Sequence, residues 1–527
     1  MTRPTVARWI TLITVAAILA AALLAHVGFF RHAGGLWRDE AGTAAFARMS
    51  ITDLRAELRY DSVPLVSTLL FRSWTAIGFG SDTGLRTLGL AVGCAVLLAL
   101  LLNARMQGAA LPCSLALFAC LPWVIRGGDA VRPLGLAMVL IVMTFAAVGA
   151  LLEAPRRGRV VAAMACAVLA VQTSYANVPL VAAITLAAMI AGGRAHCRAR
   201  VLAVLAVALA AAVSLLPYAP MIRDAQDWGV LMQVHNDLAR LWLVFRRATT
   251  PDTGVWVAAV TAALVAGVVT MTRTRRKGDE GEASRAVYAG ATLGLAVVAF
   301  VAFLSWSELA TQPWYYLPLL ALLAAAIDVL GAPFLRSPAP RIAACILLVG
   351  WMTAHVPNAL AQLRVRQTNL DLIAAKVAEA AGPADLVVVN PWFYATTFDR
   401  YYHGPARWTV IPPLAETRIH RYDLLKRCMQ DVACILPVEQ EILATFAAGG
   451  RVWVAGYLPP GSGGRIPPPP AAPAELGWNI DKYSDAWGKA VITAIVDRAI
   501  GSRRVAVESS DEVSTYEDAA LFVITGR

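Results

Sequence analysis

The stretch "WITLITVAAILAAALLAHVGFFRHAGGLWRDEAGTAAF" (residues 9–46) joins a long apolar run directly to a pair of carboxylates. Residues 9–30 contain no Asp, Glu, Lys or Arg, and a helix of about 20 apolar residues crosses the hydrocarbon core of a bilayer. Asp39 and Glu40 follow shortly after that run. The stretch therefore predicts a transmembrane helix whose exit carries two acids close to the membrane–water boundary.

The composition extends this prediction to much of the chain. Of the 527 residues, 58% are hydrophobic and only 15% are charged, whereas soluble domains carry roughly 25% charged residues. Much of the chain must therefore lie where charge is costly, as in a bilayer. Much of the net charge of +11 falls in short loops between apolar runs. Membrane topology explains it there, so we exclude a nucleic acid as the partner.

The apolar runs predict an α-helical polytopic membrane protein with about eleven transmembrane helices. The fifth and sixth are joined by a very tight turn, "TSYANVP". The predicted helices lie at residues 9–30, 86–103, 111–125, 133–152, 160–174, 178–192, 201–219, 254–271, 286–305, 315–331 and 342–358.

Arginine-rich segments alternate regularly with these helices. The segments at 153–159, 192–200, 273–285 and 336–341 each follow an even-numbered helix. Because short basic loops face the cytoplasm, we expect a multi-pass protein of the bacterial cytoplasmic membrane with a cytoplasmic N-terminus. The loop 31–85 and the whole C-terminal region are then periplasmic. A cleaved leader is the alternative for the first helix, but its run is long and no small-x-small site follows it cleanly.

The first periplasmic loop, residues 31–85, is predicted to contain surface helices. Ser50 and Asp53 have the spacing of a capping box at the start of one of them. Residues 63–79 are apolar, but Arg72 interrupts them. They therefore favour a helix that lies along the membrane surface over a further crossing.

The composition changes after the last predicted helix. This change divides the chain into a transmembrane module, residues 1–358, and a C-terminal periplasmic domain, residues 359–527. Residues 459–474 are so rich in proline and glycine that they predict a loop. Elsewhere in the domain, strands alternate with helices, which is typical of a mainly parallel α/β sheet. We predict strands at 385–389, 408–411, 451–455, 503–507 and 521–525 and helices at 369–381 and 487–500.

Cys428 and Cys434 are the only cysteines of the C-terminal domain. An oxidising periplasm would permit a disulfide bond between them. The segment "CMQDVAC" has helical character, however, and cysteines six residues apart on one continuous helix point apart. A disulfide bond requires the helix to break near Asp431, and the sequence leaves both outcomes open.

The acids of the first two outer loops are candidates for chemistry: Asp39, Glu40, Asp61 and Asp129. Three of them also have a purely structural interpretation. Asp39 could cap the helix that follows, and Glu40 could favour the start of that helix through its dipole. Asp129 could pair with Arg126 or Arg132. Carboxylates that converge at a membrane boundary are nevertheless well placed to accept a proton.

The order of these motifs resembles the GT-C glycosyltransferases, integral membrane enzymes that use polyprenyl-phosphate-linked sugars. They include protein O-mannosyltransferases, lipid A aminoarabinose transferases and related bacterial envelope transferases. The resemblance covers about residues 1–330 and implies a GT-C fold and a transfer that inverts the sugar. The segments that carry it are "DEAGTAAFA" (39–47), "YDSVPLVSTLLFRSWTAIGFGSDTGLR" (60–86), "GGDAVRPLGL" (127–136) and "TQPWYYLPLLALLAA" (311–325).

The residues and the resemblance together predict the reactants and the site. We expect a polyprenyl-phosphate sugar as donor and a hydroxyl of a cell-envelope glycan, glycolipid or protein as acceptor. Asp39 is the expected general base, and Glu40 and Asp129 complete the catalytic group. The candidates for substrate binding are Asp61, Arg132, Arg246, Arg247, Trp314, Tyr315 and Tyr316.

Alternatives remain for some residues and for the function. Arg246 and Arg247 could reach lipid headgroups, and the aromatic residues at 314–316 could belong to the interfacial belt. We expect no cofactor and no metal ion, although some GT-C relatives use a divalent ion. A transporter or flippase of a lipid-linked precursor is the alternative function, but the helices show no convincing internal repeat. A membrane anchor for a binding module would need far fewer helices.

Overall fold

The computed structural model describes residues 3–60, 63–194, 197–277, 279–457, 472–473 and 478–527. A π-helical turn at Thr75–Phe79 extends the fourth helix. The helices up to residue 362 are α1 (Arg3–His32), α2 (Arg38–Arg48), α3 (Ile51–Glu57), α4 (Leu65–Trp74), α5 (Asp82–Met106), α6 (Cys113–Ala119), α7 (Pro122–Asp129), α8 (Leu134–Glu153), α9 (Arg157–Val171), α10 (Asn177–Arg194), α11 (Arg198–Ser214), α12 (Ala219–Gly229), α13 (Leu238–Ala248), α14 (Thr253–Lys277), α15 (Glu280–Ser307), α16 (Leu317–Leu335) and α17 (Pro338–Gln362).

The polytopic helical fold is confirmed, with a correction to the number of long helices. Within the described residues, nine helical spans are long and apolar enough to cross a membrane: α1, α5, α8, α10, α11 with its continuation to Met232, α14, α15, α16 and α17. The predicted helix at 111–125 is divided into α6 and α7 before Pro122, because proline cannot continue the hydrogen bonds of a preceding helix. The predicted helix at 160–174 is α9, whose 15 residues reach about 22 Å at 1.5 Å per residue.

The shorter segments, α6 with α7 and α9, still run between the two ends of the helix bundle. At the start of α6, the Ser114 amide donates to Asp328 of α16 (3.0 Å), while Asp129 at the end of α7 contacts α1 and α5. Helix α9 lies along α8, with Arg159 3.8 Å from Glu153 at one end. At the other end, the side chain of Asn177 donates to backbone carbonyls of α8 and α9. The alternation of helix directions that the sequence predicts is therefore preserved.

The arginine-rich loops meet at one end of the bundle. Arg285 lies 3.5 Å from Glu153, and Arg336 lies 3.0 Å from Glu282. These ion pairs bring together the loops after α8, α14 and α16, as the alternation of basic segments predicts. We call the opposite end, where α1 and α17 finish, the cavity end.

The first loop contains the surface helices that the sequence predicts. Helix α3 begins after Ser50, whose Oγ accepts a hydrogen bond from the Asp53 amide (3.1 Å). Helix α4 and its π-helical turn together cover Leu65–Phe79, which is too short to cross a membrane. Asp61 lies outside the described residues.

The C-terminal α/β domain contains helices α18 (Leu370–Ala380), α19 (Ala395–Tyr401), α20 (Tyr422–Gln430), α21 (Leu436–Ala447) and α22 (Ile480–Val496). Its strands are β1 (Val365–Arg366), β2 (Leu386–Asn390), β3 (Arg407–Val410), β4 (Arg451–Gly456), β5 (Ala499–Val505), β6 (Glu512–Val513) and β7 (Leu521–Gly526). The main sheet has the order β3-β2-β4-β7-β5, and β1 pairs with β6 separately.

The sheet is mixed, which corrects the expectation of a mainly parallel one. Strand β2 pairs in parallel with β3 and β4, but β7 is antiparallel to both β4 and β5. The predicted helix at 487–500 instead begins at Ile480 and ends at Val496, because the following residues enter β5. The predicted loop at 459–474 lies outside the described residues except for 472–473.

A disulfide bond joins Cys428 and Cys434, so the structure decides the question that the sequence leaves open. Helix α20 ends at Gln430, and Asp431 has an extended backbone. This break brings the two Cα atoms to 5.4 Å from each other, a separation that a disulfide bond spans.

The C-terminal domain packs directly on the first loop at the cavity end. Arg400 donates from Nε to Oδ1 of Asp82 at the start of α5 (3.2 Å). The Tyr401 hydroxyl donates to the same carboxylate and accepts a hydrogen bond from the Leu36 amide (2.6 Å). These contacts hold the domain over the segment that carries Asp39 and Glu40.

Candidate active site

Asp39 and Glu40 lie in the first turn of α2, not before it. The N-cap of α2 is Trp37, so the alternative that Asp39 caps this helix is wrong. Carboxylates in a first turn are stabilised by the positive end of the helix dipole. Because successive residues on a helix point about 100° apart, the two neighbouring acids enter different surroundings.

Glu40 forms a buried ion pair with Arg86 of α5. The two side chains are 1% and 5% exposed, and the guanidinium donates to both carboxylate oxygens over 3.0 and 2.8 Å. Glu40 also accepts the amide of Val131 (3.0 Å), and Arg86 donates to the carbonyls of Gly34 and Gly35. Both oxygens of Glu40 are thus occupied in joining three segments, which suits a structural role rather than catalysis.

Asp39 faces an open cavity at the cavity end of the bundle. Its side chain is 16% exposed and lies 3.6 Å from Arg132 and 3.9 Å from Arg38. Burial raises the pKa of Asp39, but neighbouring positive charge, that of Arg132 first, outweighs burial and holds the pKa below its ordinary value. The carboxylate is therefore ionised at neutral pH and available to accept a proton.

The cavity has a volume of about 580 Å³, open mouth included. Its wall combines aromatic rings from distant parts of the chain: the ring centre of Trp314 lies 5.9 Å from Trp37, 6.1 Å from Trp123 and 5.5 Å from Tyr516. The C-terminal domain contributes Gln367, Ser514 and Tyr516. The full lining is Phe29, Trp37, Asp39, Glu40, Trp123, Arg126, Gly127, Ala130, Arg132, Leu134, Trp314, Gln367, Ser514 and Tyr516.

Two arginines also line this cavity, which gives it a positive wall. Arg132 donates from Nη1 to the backbone carbonyl of Asp39 (3.3 Å) in addition to its ion pair with the side chain. Arg126 donates from Nη2 to the carbonyl of Gln362, and its buried Nε has no hydrogen-bond partner among the described residues. Arginine recognises phosphate through paired N–H donors, so this wall suits a phosphate group.

Asp129 is not part of the cavity lining. Its side chain is buried and forms a hydrogen bond with His26 of α1 (2.7 Å). The alternative that Asp129 pairs with Arg126 or Arg132 is therefore wrong. The close approach of α7 requires Gly93 on α5, where a Cβ atom would lie 1.7 Å from Oδ1 of Asp129. Asp129 and His26 thus connect α1, α5 and α7 beneath the cavity.

The other predicted binding residues fall in different places. Trp314 lines the cavity, and Tyr315 contacts its ring (6.2 Å between ring centres). Tyr316 is buried and donates to the carbonyl of Leu241 (3.0 Å), so it packs helices together. Arg246 and Arg247 have exposed side chains at the end of α13 and do not line the cavity.

Several cavity residues are missed by sequence reasoning. Trp37 lies two residues before Asp39 and could have been included on that ground. Arg126 was considered only as a partner of Asp129. Nothing in the sequence connects Trp123 or Tyr516 with Asp39, because tertiary packing alone brings them together. No group of three or more metal-binding side chains occurs within the described residues.

The fold and the cavity together define a polytopic helical membrane protein with an ionised carboxylate, arginines and aromatic rings at one end. No protein-family model matches the chain, and no curated protein matches it. Among solved structures, the crystal structure of ArnT from Cupriavidus metallidurans bound to undecaprenyl phosphate is similar over 84% of this chain and 92% of that chain, with 12% sequence identity and a TM-score of 0.47.

Proposed function

We propose that this protein is an integral membrane glycosyltransferase that moves a sugar from a polyprenyl-phosphate donor to a hydroxyl of a cell-envelope acceptor. One observation carries the proposal: Asp39, ionised and partly exposed, shares an open cavity with Arg126 and Arg132 at the end of an apolar helix bundle. A donor of this class needs hydrocarbon for its tail, cations for its phosphate and a base for the incoming hydroxyl. The cavity offers all three within one space.

The donor phosphate would lie against Arg126 and Arg132. A sugar joined to a polyprenyl phosphate is a phosphodiester with one negative charge, and the departing monoester gains a second charge near neutral pH. Fixed positive groups favour that increase and stabilise the transition state more than the bound donor. The aromatic wall of Trp37, Trp123 and Trp314 supports stacking of the sugar or contact with the lipid.

Asp39 would act as the general base. Its carboxylate takes the proton of the acceptor hydroxyl while the hydroxyl oxygen bonds to the anomeric carbon and the bond to the phosphate oxygen breaks. Direct displacement of this kind inverts the sugar. When the donor phosphate shares Arg132 with Asp39, it weakens the hold of that arginine on the carboxylate. Donor binding therefore makes Asp39 more basic.

The arginine-rich loops assign the orientation within this proposal. They face the cytoplasm of a bacterium, so the cavity and the C-terminal domain face the periplasm. The domain covers the cavity with Ser514 and Tyr516, which favours a role in admitting the acceptor.

Transfer of sugar from a radiolabelled polyprenyl-phosphate donor to an envelope-extract acceptor fraction tests this function. In membranes with equal amounts of protein, we expect Asp39→Asn to lower kcat by about 10²–10⁴-fold and to retain donor binding, because the arginines remain. Asp53→Asn, at an exposed acid on α3, is the matched control and should keep full activity. Full activity in Asp39→Asn would remove the proposed base. Lipid flux without a glycosylated product would favour a flippase.

A further inference from the structure

A second pocket lies at the end of the helix bundle opposite the cavity end, where the arginine-rich loops meet. It has a volume of about 290 Å³, open mouth included. Helices α14, α15 and α16 form its wall together with Gln107, the residue that follows α5. Because these four helices are long and apolar enough to span a membrane, the pocket lies at the membrane–water boundary. The polar residues of its lining are Gln107, Thr270, Glu282, Arg285 and Arg336.

Two buried polar side chains of this pocket lack a partner. Gln107 and Thr270 are each 4% exposed, and neither Oε1 of Gln107 nor the hydroxyl of Thr270 has a hydrogen-bond partner among the described residues. The side chain of Gln107 fits against Gly149 of α8, where a Cβ atom would lie 2.4 Å from Nε2. Buried polar atoms are normally paired, and leaving them unpaired is costly. The two side chains therefore require a ligand that donates and accepts hydrogen bonds, as a hydroxyl group does.

Two arginines of the same pocket keep donors for a ligand. Arg336 donates from Nη1 to Glu282 over 3.0 Å, and Arg285 donates from Nη1 to Glu153 over 3.5 Å. A guanidinium has five N–H donors in a planar fork that matches a phosphate group. Each arginine can therefore bind a phosphate and still keep its glutamate.

The surroundings of the pocket are positively charged. The three loops at this end of the bundle, residues 153–159, 273–285 and 336–341, contain ten basic and four acidic residues. The excess of positive charge attracts anions to the mouth of the pocket. A basic pocket between transmembrane helices is typical of a site for the headgroup of an anionic lipid.

We propose that this pocket binds the headgroup of one anionic phospholipid that carries hydroxyl groups, the chemistry of phosphatidylglycerol. The lipid phosphate lies against Arg285 and Arg336, and a headgroup hydroxyl pairs with Gln107 and Thr270. The site lies at the opposite end of the bundle from Asp39. It is separate from the cavity and does not depend on the proposed function.

The charges and the unpaired atoms select this headgroup over others. Ethanolamine or choline would bring a cation among the arginines, and phosphatidic acid has no headgroup hydroxyl for the inner part of the pocket. Free glycerol phosphate has the same polar chemistry but no acyl chains. On α14, Val265 and Val268 are 58% and 56% exposed, so acyl chains can lie along this helix deeper in the bilayer. The lipid therefore gains contacts that the free phosphate ester lacks.

Native mass spectrometry of the purified full-length protein, titrated with dioleoyl phosphatidylglycerol, tests this site. We expect one lipid to bind more tightly than phosphatidic acid or phosphatidylethanolamine with the same acyl chains. Arg336→Gln should weaken binding roughly fivefold. Thr270→Val removes an unpaired hydroxyl and keeps the shape, so it should also weaken binding roughly fivefold but keep the thermal midpoint of the lipid-free wild type. The matched control is Arg105→Gln, an exposed arginine of α5 outside the pocket, which should keep the wild-type affinity.

Loss of affinity in the two pocket variants with an unchanged control would support the site. Unchanged affinity in Thr270→Val would overturn it, because the hydroxyl would then not contact the headgroup. An equal loss in Arg105→Gln and Arg336→Gln would also overturn it and leave only a general attraction between basic loops and anionic lipid. Equal affinity for phosphatidic acid would contradict the recognition of headgroup hydroxyls. Glycerol phosphate that binds as tightly as the lipid would assign the pocket to a soluble ester instead.

Discussion

Replacement of Glu40 by glutamine tests whether the buried ion pair with Arg86 holds the site together. The change keeps the shape of the side chain and removes its charge. Breaking a buried pair by removing one partner costs about 3–5 kcal/mol, because the other charge stays buried without compensation. Arg86 would keep its hydrogen bonds to the carbonyls of Gly34 and Gly35. We therefore expect the free energy of unfolding to fall by about 3 kcal/mol, the lower limit of this range.

Unfolding by sodium dodecyl sulfate in mixed micelles measures this loss as a change in the free energy of unfolding. The matched control is Glu153→Gln, whose side chain is 40% exposed and pairs with Arg159 and Arg285. Exposed pairs contribute about 1 kcal/mol or less, so the control should scarcely change stability. The double variant Glu40→Gln/Arg86→Met should recover part of the loss, since it removes the unpaired charge.

The same substitution should also lower activity, because the amide of Val131 binds Glu40 one residue before Arg132. A cost for Glu40→Gln no larger than that for Glu153→Gln would refute the reasoning. It would mean that the carboxylate does not fix the segment that carries Arg132, and that Glu40 is free for another role.

Because positive charge, that of Arg132 first, holds the pKa of Asp39 below its ordinary value, kcat/KM of the wild type should stay level down to about pH 4. Arg132→Gln should raise the pKa of Asp39, move the acid limb of the kcat/KM profile to higher pH and increase the KM for the donor. An acid limb that does not move would contradict the assignment of Asp39. The double substitution Cys428→Ser/Cys434→Ser should lower the free energy of unfolding by about 2 kcal/mol, as expected for the loss of a disulfide bond that closes so short a loop. In the native protein, mass spectrometry after alkylation without reductant should detect no free thiol at either cysteine.

The apolar pattern predicts the helix bundle well because it depends on neighbouring residues. Long runs without charge give the nine long helices, and the alternation of arginine segments predicts which loops meet. The prediction was wrong where local chemistry divides a run, as at Pro122, and where a helix is too short, as in α9. In the C-terminal domain, the strands were identified from alternating β-rich segments. The antiparallel pairing of these strands could not be predicted, because pairing depends on the path of the chain between strands.

The sequence by itself therefore determined that this is a polytopic membrane protein with an acid pair at the end of its first long helix. Only the tertiary structure decided which acid of that pair keeps an accessible side chain in the cavity, since Arg86 and Val131 bind the buried Glu40 and leave Asp39 16% exposed. It likewise decided that Asp129 binds His26, 103 residues away, and that Tyr516 lines the cavity. The physical reason is that helix formation is a local property of the chain, whereas the neighbours of a buried charge are set by packing between distant segments.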